Sequence, residues 1–258
     1  MVCPSSCGGS IEFKNIAGLG IQDDSVLVAE TSTLPYAVRS IEPGKIRVFL
    51  KLKGGLFLAA LPAGKTAEVL GKIEEIYPAM RAAKNVLQTS LQNGNPVIHP
   101  AITLLNAALI ERTKGDFYFY EDGVTQAVGR LIEAIDKERI SIGKKLGIEV
   151  ISEPELGCLQ GYMTNSTYDK GYSEAPGFKG IRAQSDLDYR YFNEDVGYGL
   201  VFLKKLAEQV GVETPCISSM INIISLLMNR DYLGESKRTM ESLGLSHYTT
   251  EGLMTLLT

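Results

Sequence analysis

Leu56-Phe-Leu-Ala-Ala-Leu-Pro62 is where the chain changes character. The apolar run has no helical spacing and reads as a strand, and the proline after it opens a different pattern. Upstream, Val26-Leu-Val-Ala-Glu30 and Ile46-Arg-Val-Phe-Leu50 are further short apolar runs. Asp23-Asp24, Glu42-Pro43-Gly44 and Gly54-Gly55 separate these runs as turn residues would. Val26 to Ala29 is continuously apolar, as in a strand covered on both faces. Gly54-Gly55, between two runs, has the composition of a hairpin turn. The first sixty or so residues therefore read as strands without the alternating helices, the second part of an α/β sheet.

Downstream of Pro62 the periodicity is helical. Val69, Leu70, Ile73, Ile76 and Tyr77 mark a helix over 65–80. The stretch 98–112 is apolar on nearly every face and predicts a buried helix. A long helix is expected over 121–146, with Val124, Val128, Leu131, Ile132 and Ile135 on one side. Residues 157–193 are rich in Tyr, Gly, Ser and Asp and read as a long irregular stretch, of the kind that carries function. Further helices are expected near 194–210, 215–229, 236–243 and 249–257. Pro215 suits a first helical position, and Gly211 and Gly244 suit helix ends. An α/β piece followed by an all-helical domain from near residue 62 is the expected organisation.

Bulk properties exclude several classes. The 258 residues carry a net charge of −4 and no basic stripe, which argues against nucleic acid as a partner. No apolar run reaches the roughly 18 residues of a membrane span. The N-terminus has no basic and apolar regions of a signal peptide, so a cytoplasmic location is expected. Cys3, Cys7, Cys158 and Cys216 are too scattered for a disulfide scaffold. Cys3 and Cys7 are close enough to suggest a metal clip, but with two histidines in the chain zinc's usual four ligands are not met, and free thiols and no metal are expected.

The residues able to carry chemistry begin at the helix after Asn93-Gly-Asn-Pro96. His99, Thr103 and Asn106 fall on one of its faces, and Pro100 suits its first turn. Each of these polar groups needs a partner: His99 either bonds a loop internally or stands on a cleft wall as a proton donor near neutral pH. In Asn193-Glu-Asp-Val-Gly-Tyr-Gly-Leu200, Asn193 suits a helix cap, with Glu194 and Asp195 in the first turn. A carboxylate beside an imidazole would fix its tautomer, though spacing alone does not bring Asp195 to His99. The aromatic stretch 162–192 with Arg182 and Arg190 reads equally as a lid over an anionic substrate or as a loop anchored on the core. Gly8-Gly9 reads as a ligand approach or a plain turn. Gly18-Leu-Gly20 does not continue as GxGxxG, and no such fingerprint stands before a helix.

Several stretches, in order, resemble the octopine/nopaline-type opine dehydrogenases. They are Ala29-Glu-Thr-Ser-Thr-Leu-Pro-Tyr-Ala-Val-Arg39, Asn95-Pro-Val-Ile-His-Pro100 with Leu105-Asn106, Gly115-Asp-Phe-Tyr-Phe-Tyr-Glu121, Asp136-Lys-Glu-Arg139 and Arg190-Tyr-Phe-Asn-Glu-Asp195-Val-Gly-Tyr-Gly-Leu200. Gly197 stands where that family usually has proline. The resemblance implies a Rossmann-type sheet remnant over 1–62 and a helical catalytic domain over 63–258, like the C-terminal domain of 6-phosphogluconate dehydrogenase. It implies condensation of an α-keto acid such as pyruvate with the amino group of an amino acid, and imine reduction by NADH or NADPH. His99 and Asp195 would be the acid–base pair. Thr103, Asn106, Arg182 and Arg190 would meet substrate, and Gly8, Gly9, Glu30 and Thr31 the cofactor. A homodimer is compatible with this. The dinucleotide fingerprint is expected to lie outside the chain, so the sequence also admits a non-catalytic helical domain that binds a metabolite or partner. A third reading is a related 6-phosphogluconate-like reductase that acts on a 2-keto or 2-hydroxy acid and needs no amine.

Overall fold

The structure, a computed structural model, describes residues 2–4 and 7–258. Six described strands fall in the first third of the chain: β1 (Val2–Pro4), β2 (Val28–Thr31), β3 (Tyr36–Glu42), β4 (Lys45–Lys51), β5 (Leu56–Leu61) and β6 (Met80–Ala82). One sheet has the order β1-β2-β5-β6, with β1 parallel to β2, β2 antiparallel to β5, and β5 parallel to β6. Strands β3 and β4 form a separate antiparallel hairpin that turns at Pro43–Gly44. The expected hairpin at Gly54-Gly55 does not form, because β4 and β5 belong to different sheets. Gly54 and Gly55 pack instead against Leu156, Leu159 and Gln160.

A helix absent from the sequence reading, α1 (Gly9–Ile16), links β1 to β2 and completes a β-α-β unit. Its amphipathic signal is weak because two of its buried residues, Ser10 and Lys14, are polar. Lys14 Nζ donates to the carbonyls of Gly20 and Ile21 at 3.3 and 2.8 Å, and to that of Asp23, which fixes the loop after α1.

The sheet also extends past residue 62. A short helix, α2 (Thr66–Ile73), packs on β5, and β6 then adds a strand up to Ala82. Half of the expected helix over 65–80 is thus turn and strand. Leu52, Leu56, Leu58, Val69 and Met80 make a small core of their own under this layer.

The helical part runs α3 (Val86–Leu91), α4 (Asn95–Leu105), α5 (Ala107–Thr113), α6 (Gln126–Lys145), α7 (Glu153–Gln160), α8 (Lys170–Ser173), α9 (Arg190–Asn193), a π-helix (Asp195–Leu200), α10 (Val201–Val210), α11 (Pro215–Met228), α12 (Tyr232–Glu235) and α13 (Thr250–Leu257). The helix predicted over 98–112 starts earlier and breaks at Asn106, whose amide donates to the Ile102 and Gly123 carbonyls at 2.8 and 3.0 Å. Pro100 consequently lies inside α4 rather than in its first turn. No helix forms over 236–243, where the Thr239 and Ser242 hydroxyls bond neighbouring backbone groups in a turn. Asn193 ends α9 and does not cap the next helix; its Oδ1 accepts from Arg230 and Tyr232. Pro215 opens α11, and Gly211 closes α10 in a left-handed conformation, as expected.

A single large core joins α1, β5, α3, α4, α6 and α10 through residues such as Ile11, Leu61, Leu87, Ile102, Ile132 and Phe202. Among the described residues no helix is long and apolar enough to cross a membrane and no cluster is arranged to hold a metal. The Cys3 side chain lies outside the described residues; Cys7, Cys158 and Cys216 are free thiols.

Candidate active site

Two buried helical segments meet at the centre of the helical part. Helix α4 carries His99 on its fifth position, and the π-helix carries Asp195 on its first. Their close approach has a steric cause. A Cβ on Gly199 would lie 2.4 Å from Pro96 Cγ, so only glycine lets the π-helix touch the first turn of α4. The wider turn is seen in the Gly199 amide, which donates to the Glu194 carbonyl five residues back at 3.2 Å. Gly197 and Gly199 thus stand where a π-turn is made, a form often found at functional sites.

His99 Nδ1 lies 2.7 Å from Asp195 Oδ2, and His99 Nε2 lies 3.1 Å from the Tyr120 hydroxyl. The carboxylate accepts, so Nδ1 carries the proton, and neutral Nε2 accepts from Tyr120. The imidazole stacks on Tyr191 at 4.0 Å between centroids, and Phe119 meets it edge-on. The Arg39 guanidinium donates to the Tyr191 hydroxyl at 2.9 Å. Burial holds the His99 imidazole below its ordinary range; Asp195 opposes this, while Arg190 and Arg39 add to it. The ring is therefore neutral at rest, with a carboxylate placed to stabilise it once charged.

His99 opens into a cavity lined by Arg39, Arg190, Tyr120, Glu153, Tyr162 and Phe178, among others. Asp195 opens into a second cavity lined by Cys7, Asn93, Pro96, Tyr198 and Arg238. Thr33, Leu34, Asn95 and Arg190 belong to both, so the two spaces meet beside the His–Asp pair. Arg190 Nε is buried with no hydrogen-bond partner among the described residues. The Glu153 carboxyl is in the same state, with Oε2 buried and unpartnered. Burial and the neighbouring Asp136 carboxylate push its pKa up to about 8.

The remaining candidates divide. Thr103 accepts from Gln184 at 3.2 Å and Asn106 ends α4, so both polar groups are used inside the fold and neither lines either of these two cavities. Arg182 lies at the surface, paired with Asp116 and over the Tyr118 ring at 5.1 Å, and lines neither of these cavities. Glu30 is fully buried; its carboxylate accepts from the Ser10 hydroxyl at 2.9 Å, Ser90 at 2.7 Å and Thr89 at 3.1 Å. Thr31 is turned to its own chain, donating to the Thr33 carbonyl at 2.9 Å. Glu30 therefore ties α1 and α3 to β2, Thr31 closes a local turn, and neither lines either of these cavities. Gly8 and Gly9 are buried at the start of α1, where Gly8 packs against Phe202 and Leu243.

Residues not singled out from sequence are Arg39, Tyr120 and Glu153. Arg39 and Tyr120 lie in two of the stretches that carry the family resemblance. Glu153 carries no local mark beyond being an acid in a helix first turn.

Residues 82–228 match the α-helical domain of the NAD/NADP octopine/nopaline dehydrogenase family. An opine dehydrogenase of Arthrobacter sp. (strain 1C) is 38% identical over 250 residues, covering 97% of this chain and 68% of that protein. Protein ocs of Agrobacterium tumefaciens (strain Ach5) is 31% identical over 85% of this chain and 61% of its own length. The fold is similar to octopine dehydrogenase solved with NADH and L-arginine, with a TM-score of 0.76, 20% identity, and coverage of 98% of this chain and 70% of that one. It is also similar to NADP+-bound yersinopine dehydrogenase, with a TM-score of 0.68, 15% identity, and coverage of 99% and 70%. The chain belongs to the NAD/NADP octopine/nopaline dehydrogenase family.

Proposed function

We propose that His99 and Asp195 are the acid–base pair of an NAD(P)H-dependent reductive condensation, in which the amino group of an amino acid joins an α-keto acid such as pyruvate. The observation that carries this reading is the 2.7 Å His99–Asp195 contact at the junction of two cavities. In the cavity beside His99, Arg190 and Arg39 supply two guanidiniums for the two carboxylates of the condensed intermediate, and the Arg190 Nε, unpartnered among the described residues, is one donor awaiting an acceptor. His99 removes a proton from the donor's ammonium group at Nε2, and Asp195 stabilises the imidazolium that results. Attack of the free amine on the keto carbon, with transfer of one nitrogen proton to the carbonyl oxygen, gives a carbinolamine; the proton held on His99 then leaves with its hydroxyl as water, and the product is the protonated imine. Tyr120 must release Nε2 for this, and its hydroxyl is placed to hold the departing water.

The family's NAD or NADP supplies the hydride when bound. The residues present fit its reactive end: Cys7, Asn93 and Asn95 line a polar cavity that meets the first one at Arg190. In the loop before α1, Cys7 is the residue that lines this cavity, whereas Gly8 packs on Phe202 and Leu243 and its amide donates to the Ser90 hydroxyl at 3.2 Å. Residues 1–82 are read as part of the nucleotide-binding unit and the rest as the catalytic domain, with the boundary moved to the end of β6. The free thiols are in keeping with a cytoplasmic setting.

His99→Ala tests the assignment. NADH consumption with pyruvate and an amino acid is expected to fall by about 10²–10⁴-fold, the usual worth of a positioned acid–base group. Full activity in this variant would remove His99 from the chemistry.

A further inference from the structure

We propose that Glu153 selects the amino donor, taking a cationic side-chain group, an ammonium or a guanidinium, at the end of the cavity remote from Arg39 and Arg190. The inference rests on the reading of this cavity as the substrate site.

Glu153 opens α7 and is 5% exposed, yet its carboxyl has no structural task. Its backbone amide donates to Asp136 Oδ2 at 2.8 Å, whereas carboxyl Oε2 meets no donor among the described residues. Buried polar atoms in folded proteins are nearly always matched, so an unmatched one on a cavity wall points to a ligand. The neighbouring chain makes room for it. A Cβ on Gly94 would stand 2.7 Å from Glu153 Cγ and 2.8 Å from Oε1, so the residue before α4 is bare where this side chain crosses it.

The cavity is polarised along its length. His99 feels the positive charges of Arg190 and Arg39, whereas Glu153 feels the Asp136 carboxylate and, against it, Arg139. Carboxylates of the reacting centre therefore belong at the arginine end, and the α-amino nitrogen belongs beside His99. What reaches Glu153 is the far end of the donor's side chain. The wall between is aromatic: Phe178 stacks on Tyr120 at 4.1 Å and on Tyr162 at 4.7 Å. Such faces suit an aliphatic stem and a cationic head.

The test is isothermal titration of the whole chain, with NADH present, against L-lysine, L-ornithine, L-arginine, L-norleucine and L-glutamine. Run near pH 7 in two buffers of different ionisation enthalpy, it also counts protons. A basic donor should bind at least about tenfold tighter than L-norleucine, as expected of a charged hydrogen bond. It should also release close to one proton, since a carboxyl with its pKa at about 8 is mainly protonated at this pH and must ionise to pair. Glu153→Gln should remove both the preference and the proton release; if that variant does not fold, the wild-type ratio and proton count decide alone. Equal binding of L-lysine and L-norleucine, tighter binding of L-glutamine without proton release, or a preference that survives Glu153→Gln would overturn the inference. Arg190→Ala separates the two readings. If it weakens every donor and pyruvate alike while the basic preference is absent, only the role of Glu153 falls. If it changes nothing, the cavity is not the substrate site and both fall.

Discussion

Among the described residues, two buried contacts between a carboxylate and a nitrogen base lie within the helical part, and they differ in how completely their polar atoms are used. In Asp136–Arg139, on α6, both side chains are 0% exposed. Asp136 accepts from Arg139 Nε at 2.7 Å, the Glu153 amide at 2.8 Å and the Tyr168 hydroxyl at 2.7 Å. Arg139 spends its other donors on the carbonyls of Leu91 and Ile151, which ties α3 and the approach to α7 onto α6. Nothing is left over for a ligand. His99–Asp195 is also buried, but each member lines a cavity, and Arg190, which lines both, has its buried Nε unmatched among the described residues. Burial alone does not separate structure from function here; the state of the remaining donors and acceptors does.

The largest effect should fall on the closed pair. Arg139→Met leaves the Asp136 carboxylate buried with its main partner gone, at a cost of about 3–5 kcal/mol. Chemical denaturation should show a midpoint far below that of the natural chain, or a chain that does not fold. Wild-type stability in this variant would mean that the α6 pair is dispensable and would break the comparison on that side.

Asp195→Asn should sharpen it on the other. The amide oxygen keeps a hydrogen bond to His99 Nδ1, so folding should change little. Turnover should fall by about 10²–10⁴-fold because the imidazolium loses its counter-charge. The sign of the pH effect follows from the field at His99. Burial lowers its pKa and Asp195 raises it, so removing the carboxylate charge lowers it further. The acid limb of the pH–rate profile should move to lower pH. A limb that stays in place or moves upward would show that Asp195 does not act on the group that titrates.

The same contrast explains what could be read from the residues. The strand β5 ending at Leu61, the long α6 and the start of α11 at Pro215 were legible because each is a local pattern, whereas the return to the sheet at β6 was not. Helix α1 was not, because its inward face holds Ser10 and Lys14, whose partners Glu30 and the carbonyls of Gly20 and Ile21 are supplied by tertiary structure. The polar face of α4 was visible, but its three residues go separate ways: His99 to Asp195, Thr103 to Gln184, and Asn106 to the helix break. His99 and Asp195 are 96 residues apart, and only the family resemblance joined them in advance. Glu153 lay out of reach of either route, since its significance is an empty hydrogen bond, which no sequence pattern records.

The smallest effect concerns the two arginines that sequence reading treated alike. Arg182 and Arg190 come from one aromatic stretch, and both suit a carboxylate by type. The fold sends them to different environments. Arg182 pairs with Asp116 where the side chains are 58% and 78% exposed, and its backbone forms an isolated bridge to Tyr118. An ion pair so open to water is worth about 0–1 kcal/mol, because solvent screens the attraction and both side chains lose freedom. Arg182→Ala should therefore leave the denaturation midpoint nearly where it is and leave the KM for pyruvate unchanged. Arg190→Ala should raise that KM, since its guanidinium faces both cavities with a donor unspent. A raised KM in Arg182→Ala with none in Arg190→Ala would reverse the assignment and move the substrate to the outer surface, leaving the His99 cavity without its ligand. The two substitutions remove the same charge from the same stretch, so a difference between them reports position alone.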